Sequence, residues 1–210
     1  MDGSDSRPQP KVVTERAYRT ARSSGLFGVL VLGSSLLAAS VAAEVVTGKD
    51  PQTGLLSWSW DHQGISVQLV QRLPDQTRAF FLARGFSGEA ADRIGRSCVF
   101  QTIFRNDGKR PVAYDLRDWA LHHKGEQLGL RTREVWDREW LNRGVDQPAR
   151  IAFRWSLLPT VQRFEPGDYN WGMTSFGLAP GEPFDLSLVV GIEGEQVAGE
   201  IPAVSCAPDR

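Results

Sequence analysis

From Cys98 to Leu116 the chain alternates with a period of two. Cys98, Phe100, Thr102 and Phe104 share one side, Gln101 and Arg105 take the other, and this is the pattern of a half-buried strand. Asn106-Asp107-Gly108 then supplies residues that accept positive φ or bond their own backbone. The alternation resumes at Val112, Tyr114 and Leu116 after Pro111, which suits a strand start or an open edge because it has no N–H to donate. The stretch predicts a β-hairpin and a fold built on strands and turns.

The rest of residues 44–210 extends this reading. Leu56, Trp58 and Trp60 are in step before Asp61-His62-Gln63-Gly64, and Ile65 to Val70 follows, which predicts a second hairpin. Glu44 to Gly54 reads as a linker or a first edge strand, and Arg78 to Ala83 as an apolar strand-like run. Ala149 to Trp155 alternates through Ile151, Phe153 and Trp155. Phe184 to Ile192, Gly194 and Val197 to Val204 end the chain with two more strands around a turn. Two segments carry helix signals. Ser87 to Arg96 has Ser87 as its N-cap, and Thr132 to Gly144 places Trp136 and Trp140 one turn apart. Strands separated by turn residues, with one or two short helices, predict an all-β sandwich or barrel.

The N-terminal segment gives an address. Arg16, Arg19 and Arg22 precede an uncharged run from Gly25 to Ala43 that ends in the small residues Val41-Ala42-Ala43. This predicts a signal peptide cleaved before Glu44 or, if the run is retained, a membrane anchor over residues 1–43. In either case residues 44–210 are delivered outside the cytoplasm, periplasmic or anchored facing the periplasm. A disulfide between Cys98 and Cys206, the only two cysteines, can persist there. A formal net charge of −1 gives no electrostatic case for nucleic acid. Membrane contact is expected only if Gly25–Ala43 stays in place.

Phe104-Arg105-Asn106-x-Gly108-Lys109-x-Pro111-Val112, together with Phe164-x-Pro166-Gly167-Asp168-Tyr169, resembles the strand–turn–strand and Pro-Gly-x-Tyr pattern of immunoglobulin-like domains in bacterial secreted proteins. The resemblance implies an immunoglobulin-like β-sandwich in which the tyrosine opens a strand after a tight corner. It carries no activity with it. The antibody-type Cys/Trp/Cys spacing is absent from the sequence.

Signals for chemistry are sparse. Gly85-Phe86-Ser87-Gly88-Glu89 begins like a nucleophile elbow but has Glu where the second glycine belongs, and helix capping explains Ser87. His62, His122 and Met173 are the weak candidates for a copper-type site, and they would have to converge through the fold. The acidic residues around Asp115 and Asp137 read as solvated surface. Seven tryptophans remain, and Trp58 and Trp60, on one strand face beside a turn, are the candidates for an aromatic binding surface. The expected function is an exported, non-catalytic binding or accessory module of the cell envelope, without cofactor, with an envelope protein or a glycan as partner. The alternatives are a periplasmic metal-handling protein and a carbohydrate-binding or carbohydrate-active domain.

Overall fold

The computed structural model describes residues 43–209, and the predicted signal or anchor segment lies outside them except for Ala43. The first sheet contains β1 (Glu44–Lys49), β2 (Leu56–His62), β3 (Ile65–Gln71), β4 (Val99–Asn106) and β9 (Tyr169–Ser175), side by side in that order and all antiparallel. The second runs β7 (Glu126–Gly129), β6 (Ala120–His123), β10 (Pro183–Ile192), β5 (Val112–Asp115) and β8 (Val161–Phe164), with β11 (Glu195–Ser205) on the other side of β10. The helices are α1 (Pro74–Leu82), α2 (Gly88–Gly95), α3 (Arg133–Asn142) and α4 (Gln147–Ser156).

Two apolar clusters hold these elements. The larger one lies between the sheets: Val67, Leu69, Phe100 and Phe104 of the first sheet share it with Leu121, Leu186, Leu188 and Ile201 of the second. The alternation read at Cys98, Phe100, Thr102 and Phe104 is present, since all four are buried while Arg105 is exposed. The smaller cluster joins Val99 and Met173, on the first sheet, to Phe81, Phe86, Trp136, Trp140 and Phe153 of the helical region. Trp136 and Trp140 stack at 4.9 Å, as their one-turn spacing predicts.

The 98–116 stretch departs from its reading in an informative way. β4 and β5 are not partners: β4 pairs with β3 and β9, and β5 pairs with β8 and β10. The Asn106–Pro111 turn therefore carries the chain from one sheet to the other. Asn106 makes this possible, because its buried side chain donates to the Arg110 and Phe164 carbonyls and accepts from the Gly108 N–H. Its backbone N–H donates to the Asp168 carbonyl, and its own carbonyl accepts from Gly167. The two segments that suggested an immunoglobulin-like domain are thus bonded to each other, and Tyr169 does open a strand after the Gly167 corner. True hairpins occur where two-residue turns have positive φ at both positions, at Gln63-Gly64, Lys124-Gly125 and Glu193-Gly194.

Helix content exceeds the sequence reading: four helices occur among the described residues, against one or two expected. Arg78 to Ala83 and Ala149 to Trp155, both read as strand-like, lie in or at the end of α1 and α4. In each case a proline in the first helical turn starts the helix, Pro74 and Pro148, where the missing N–H is harmless. The helices at 88–95 and 133–142 occur as predicted, and the Ser87 hydroxyl accepts from the Ala90 N–H at 3.2 Å.

Cys98 and Cys206 are joined as a disulfide, with Cα atoms 5.1 Å apart, and both are buried in the inter-sheet cluster. The bond ties the start of β4 in the first sheet to the residue after β11 in the second. Among the described residues no helix is long and apolar enough to cross a membrane.

Candidate functional site

The two rings expected to form an aromatic surface are both buried. Trp58 and Trp60 are 2% and 0% exposed, so neither ring keeps the wet face that a partner would need. Strand alternation puts both on one face of β2, and that face is turned toward β11. There Gly199 leaves room for the Trp60 indole, since a Cβ at 199 would fall inside the ring. Trp58 meets Phe100 edge to face at 6.0 Å. The exposed indoles are instead Trp155, at 80%, and Trp171, at 63%. Trp155 lies on the last turn of α4, and Trp171 lies on β9, an edge strand of its sheet.

The three candidate metal ligands do not converge. Met173 is buried against the helices opposite Gln101, whereas His62 is at the other end of β2 opposite Ile65, stacked on Trp60. His122 lies in the second sheet, opposite Asp185, with its Nε2 atom 2.9 Å from the Ser187 hydroxyl. Among the described residues no group of three or more His, Cys, Asp or Glu is placed to hold a metal ion. The His122–Ser187 pair was not foreseen from sequence. It sits on an open sheet face where β10 is laddered to β6 on one side and β11 on the other, and Asp185 accepts from the Ala203 N–H rather than from the imidazole.

The feature that stands out is a cleft of about 770 Å³ between the start of α3, the end of α4, the turn after β5 and the segment leading into β8. Its charged lining is four arginines, Arg117, Arg133, Arg138 and Arg154, and one acid, Glu134. Helix packing fixes this arrangement. Phe153 wedges against Trp136 and Trp140, holding α4 on α3, while Arg150 bonds Asp137 at 2.9 Å. Arg133 then reaches the Leu157 carbonyl just beyond the end of α4. Gly172 lets β9 approach Leu158 more closely than any side chain would permit, so the 157–160 segment is pinned beside the cleft.

Electrostatics in the cleft are unbalanced. Arg117 is committed to Asp115, whose carboxylate accepts from its Nε, its Nη2 and its backbone N–H. Burial, aided by the like charge of Arg154, pushes Arg133 below the usual arginine value, yet a guanidinium stays protonated, so its charge persists half-buried against a neutral carbonyl. Burial alone would raise the Glu134 carboxyl. The Thr160 hydroxyl, which donates to it at 2.7 Å, together with hydrogen bonds from its own backbone N–H and from Thr132 and, least, the Arg154 charge, outweighs that and holds it below its ordinary value. Arg138 and Arg154 are exposed and have no carboxylate within salt-bridge distance among the described residues.

Such an arrangement can hold an anion by charge-assisted hydrogen bonds, with Val161 as an apolar part of its lining; the exposed Trp155 follows Arg154 in the chain. The signal in the sequence was the density of arginine between 131 and 154, six residues interleaved with four acids. Interleaving hid it, because only the fold shows which arginines lose their acidic neighbours. No protein-family profile, curated protein or solved structure matches this chain.

Proposed function

We propose that the chain is an exported binding or accessory module of the bacterial cell envelope, an immunoglobulin-like β-sandwich with added helices, which engages an acidic envelope component at the α3–α4 cleft. The cleft carries the reading: a cavity of about 770 Å³ whose Arg138 and Arg154 have no carboxylate partner among the described residues, in a chain whose net charge is −1. A local field of this kind concentrates and orients an acidic partner. The address is supported by the arginines and uncharged run before Glu44 and by two cysteines placed to bridge the sheets in an oxidising compartment. The binding role passes from Trp58 and Trp60 to Trp155 and the arginines beside it.

A photo-crosslinking residue at position 155 of the exported chain, compared with one at Leu82, an exposed position on α1, tests this. The expected result is a discrete adduct from 155, weakened by Arg154→Ala, and none from 82. Equal labelling from both positions, or no adduct from 155, defeats the reading.

A further inference from the structure

The charge in the cleft points to a ligand class. Four arginines and one glutamate line it, and Arg117 is already balanced by Asp115, which leaves a surplus of about two positive charges on Arg133, Arg138 and Arg154 after Glu134 is counted. A single carboxylate would offset half of that surplus. A phosphate monoester, carrying about −1.5 to −2 at neutral pH, offsets nearly all of it. Geometry agrees with charge. The three guanidinia come from two helices, with Arg133 on the first turn of α3, Arg138 further along it and Arg154 on the last turn of α4. Donors that line one cavity from separate elements suit a tetrahedral group with three acceptor oxygens better than a planar carboxylate, which a single guanidinium can satisfy.

We infer that the cleft is a binding site for a phosphate monoester, with the dianion seated among Arg133, Arg138 and Arg154 and the organic body of the ligand extending toward Val161. The volume supports a body beyond the phosphate itself, since about 770 Å³ lies within the range of small-molecule sites. Glu134 sets the selectivity. Held ionised beside the arginines, it repels a second anionic group at that end of the cleft and accepts a hydrogen bond from a ligand hydroxyl. A polyanion is therefore disfavoured and a hydroxylated monoester favoured. The same headgroup chemistry exists free in solution and on a lipid, and both sources satisfy the site.

This inference rests on the reading of the cleft as the binding surface, and its test separates the two. Glycerol phosphate is titrated into the oxidised full chain while the arginine side-chain N–H resonances are followed, with acetate as the carboxylate control. Vesicles of phosphatidylcholine with and without phosphatidic acid form the lipid arm. The expected result is saturable perturbation of Arg133, Arg138 and Arg154 by glycerol phosphate, or selective binding to the phosphatidic acid vesicles, with acetate weaker in either case. Arg138→Ala and Arg154→Ala each weaken binding by about tenfold, the loss of one charged hydrogen bond. Both side chains are exposed and have no acidic partner among the described residues, so the unfolding midpoint stays unchanged. Perturbation by acetate equal to that by glycerol phosphate, binding unaffected by both substitutions, or no response in either arm overturns the inference. If the adduct from position 155 persists while the phosphate arms fail, only the ligand class is wrong. If the adduct fails as well, the cleft is not the binding surface.

Discussion

Trp58 and Trp60 sit between the sheets, dry and bounded by Phe100 and the gap left by Gly199, while Trp155 and Trp171 stand in water on the helical flank. Trp58, Trp60 and Trp155 all belong to runs that alternate in the sequence. What separates them is whether a second layer covers the face. β11 covers the inner face of β2. Trp155 stands on the face of α4 opposite Phe153, which packs into the helical cluster. Periodicity thus identifies side chains that share a face, and only tertiary structure says which face is wet.

The inter-sheet region should respond most to perturbation, and its disulfide most of all. Cys98 and Cys206 are separated by 108 residues, so opening the bond with a Cys98→Ser/Cys206→Ser double substitution should cost about 4–5 kcal/mol by chain entropy. Denaturant unfolding of the oxidised and substituted proteins measures it. A loss below about 1 kcal/mol would show that the sheets hold together without the tie.

Trp60→Ala should cost about 3–5 kcal/mol, with Gly199→Ala destabilising from the other side by forcing a methyl into the indole. Thermal melts of the two variants read this directly. If Trp60→Ala melts within a degree or two of the parent, the contrast between the two tryptophan pairs collapses.

The Glu139 network comes next in size. Burial would raise this carboxyl, but the hydrogen bond from Arg93 and the charge and hydrogen bond of Arg131 hold it below its ordinary value of 4.5. A carboxyl depressed by folding contributes stability above its unfolded value, and the contribution is lost as the pH falls through the depressed one. Glu139→Gln should therefore be less stable than the parent above pH 4.5, on the order of 1 kcal/mol, with the two curves converging as the pH drops below that. Urea titrations at pH 7 and at pH 3 show whether they do. A constant gap would assign the loss to packing rather than charge.

Trp155→Ala and Trp171→Ala should change stability least, by about 0.5 kcal/mol or less, because neither ring is buried. Larger losses would place these rings in the core beside the other pair.

Much of the scaffold was legible in the chain. Gln63-Gly64 and Glu193-Gly194 announced their turns through residues that tolerate positive φ, and Ser87 announced a helix through its cap. The Cys98–Cys206 pairing followed from there being only two cysteines in a chain whose N-terminal segment reads as an export signal. The sheet-to-sheet crossing after Asn106 was not legible, because an Asn-Asp-Gly turn between alternating runs looks the same whether or not the runs pair. α1 and α4 were missed because aromatic and β-branched residues in Arg78–Ala83 and Ala149–Trp155 imitate a strand, while tertiary packing around Phe81 and Phe153 selects the helix. The cleft was hidden for a related reason. Its arginines come from segments that meet only when α4 folds back on α3, and the acids interleaved with them in sequence do not show which arginines will share a cavity.

The central claim is that the partner face lies on the α3–α4 flank and not on β2. Hydroxyl-radical footprinting of the oxidised full chain, resolved to single tryptophans, tests it in one experiment. Trp155 and Trp171 should be modified first, Trp58 and Trp60 only on unfolding, and glycerol phosphate should protect Trp155 while leaving Trp171 unchanged. Rapid modification of Trp58 and Trp60 in the folded protein, or protection at those two rings on adding ligand, would contradict the account.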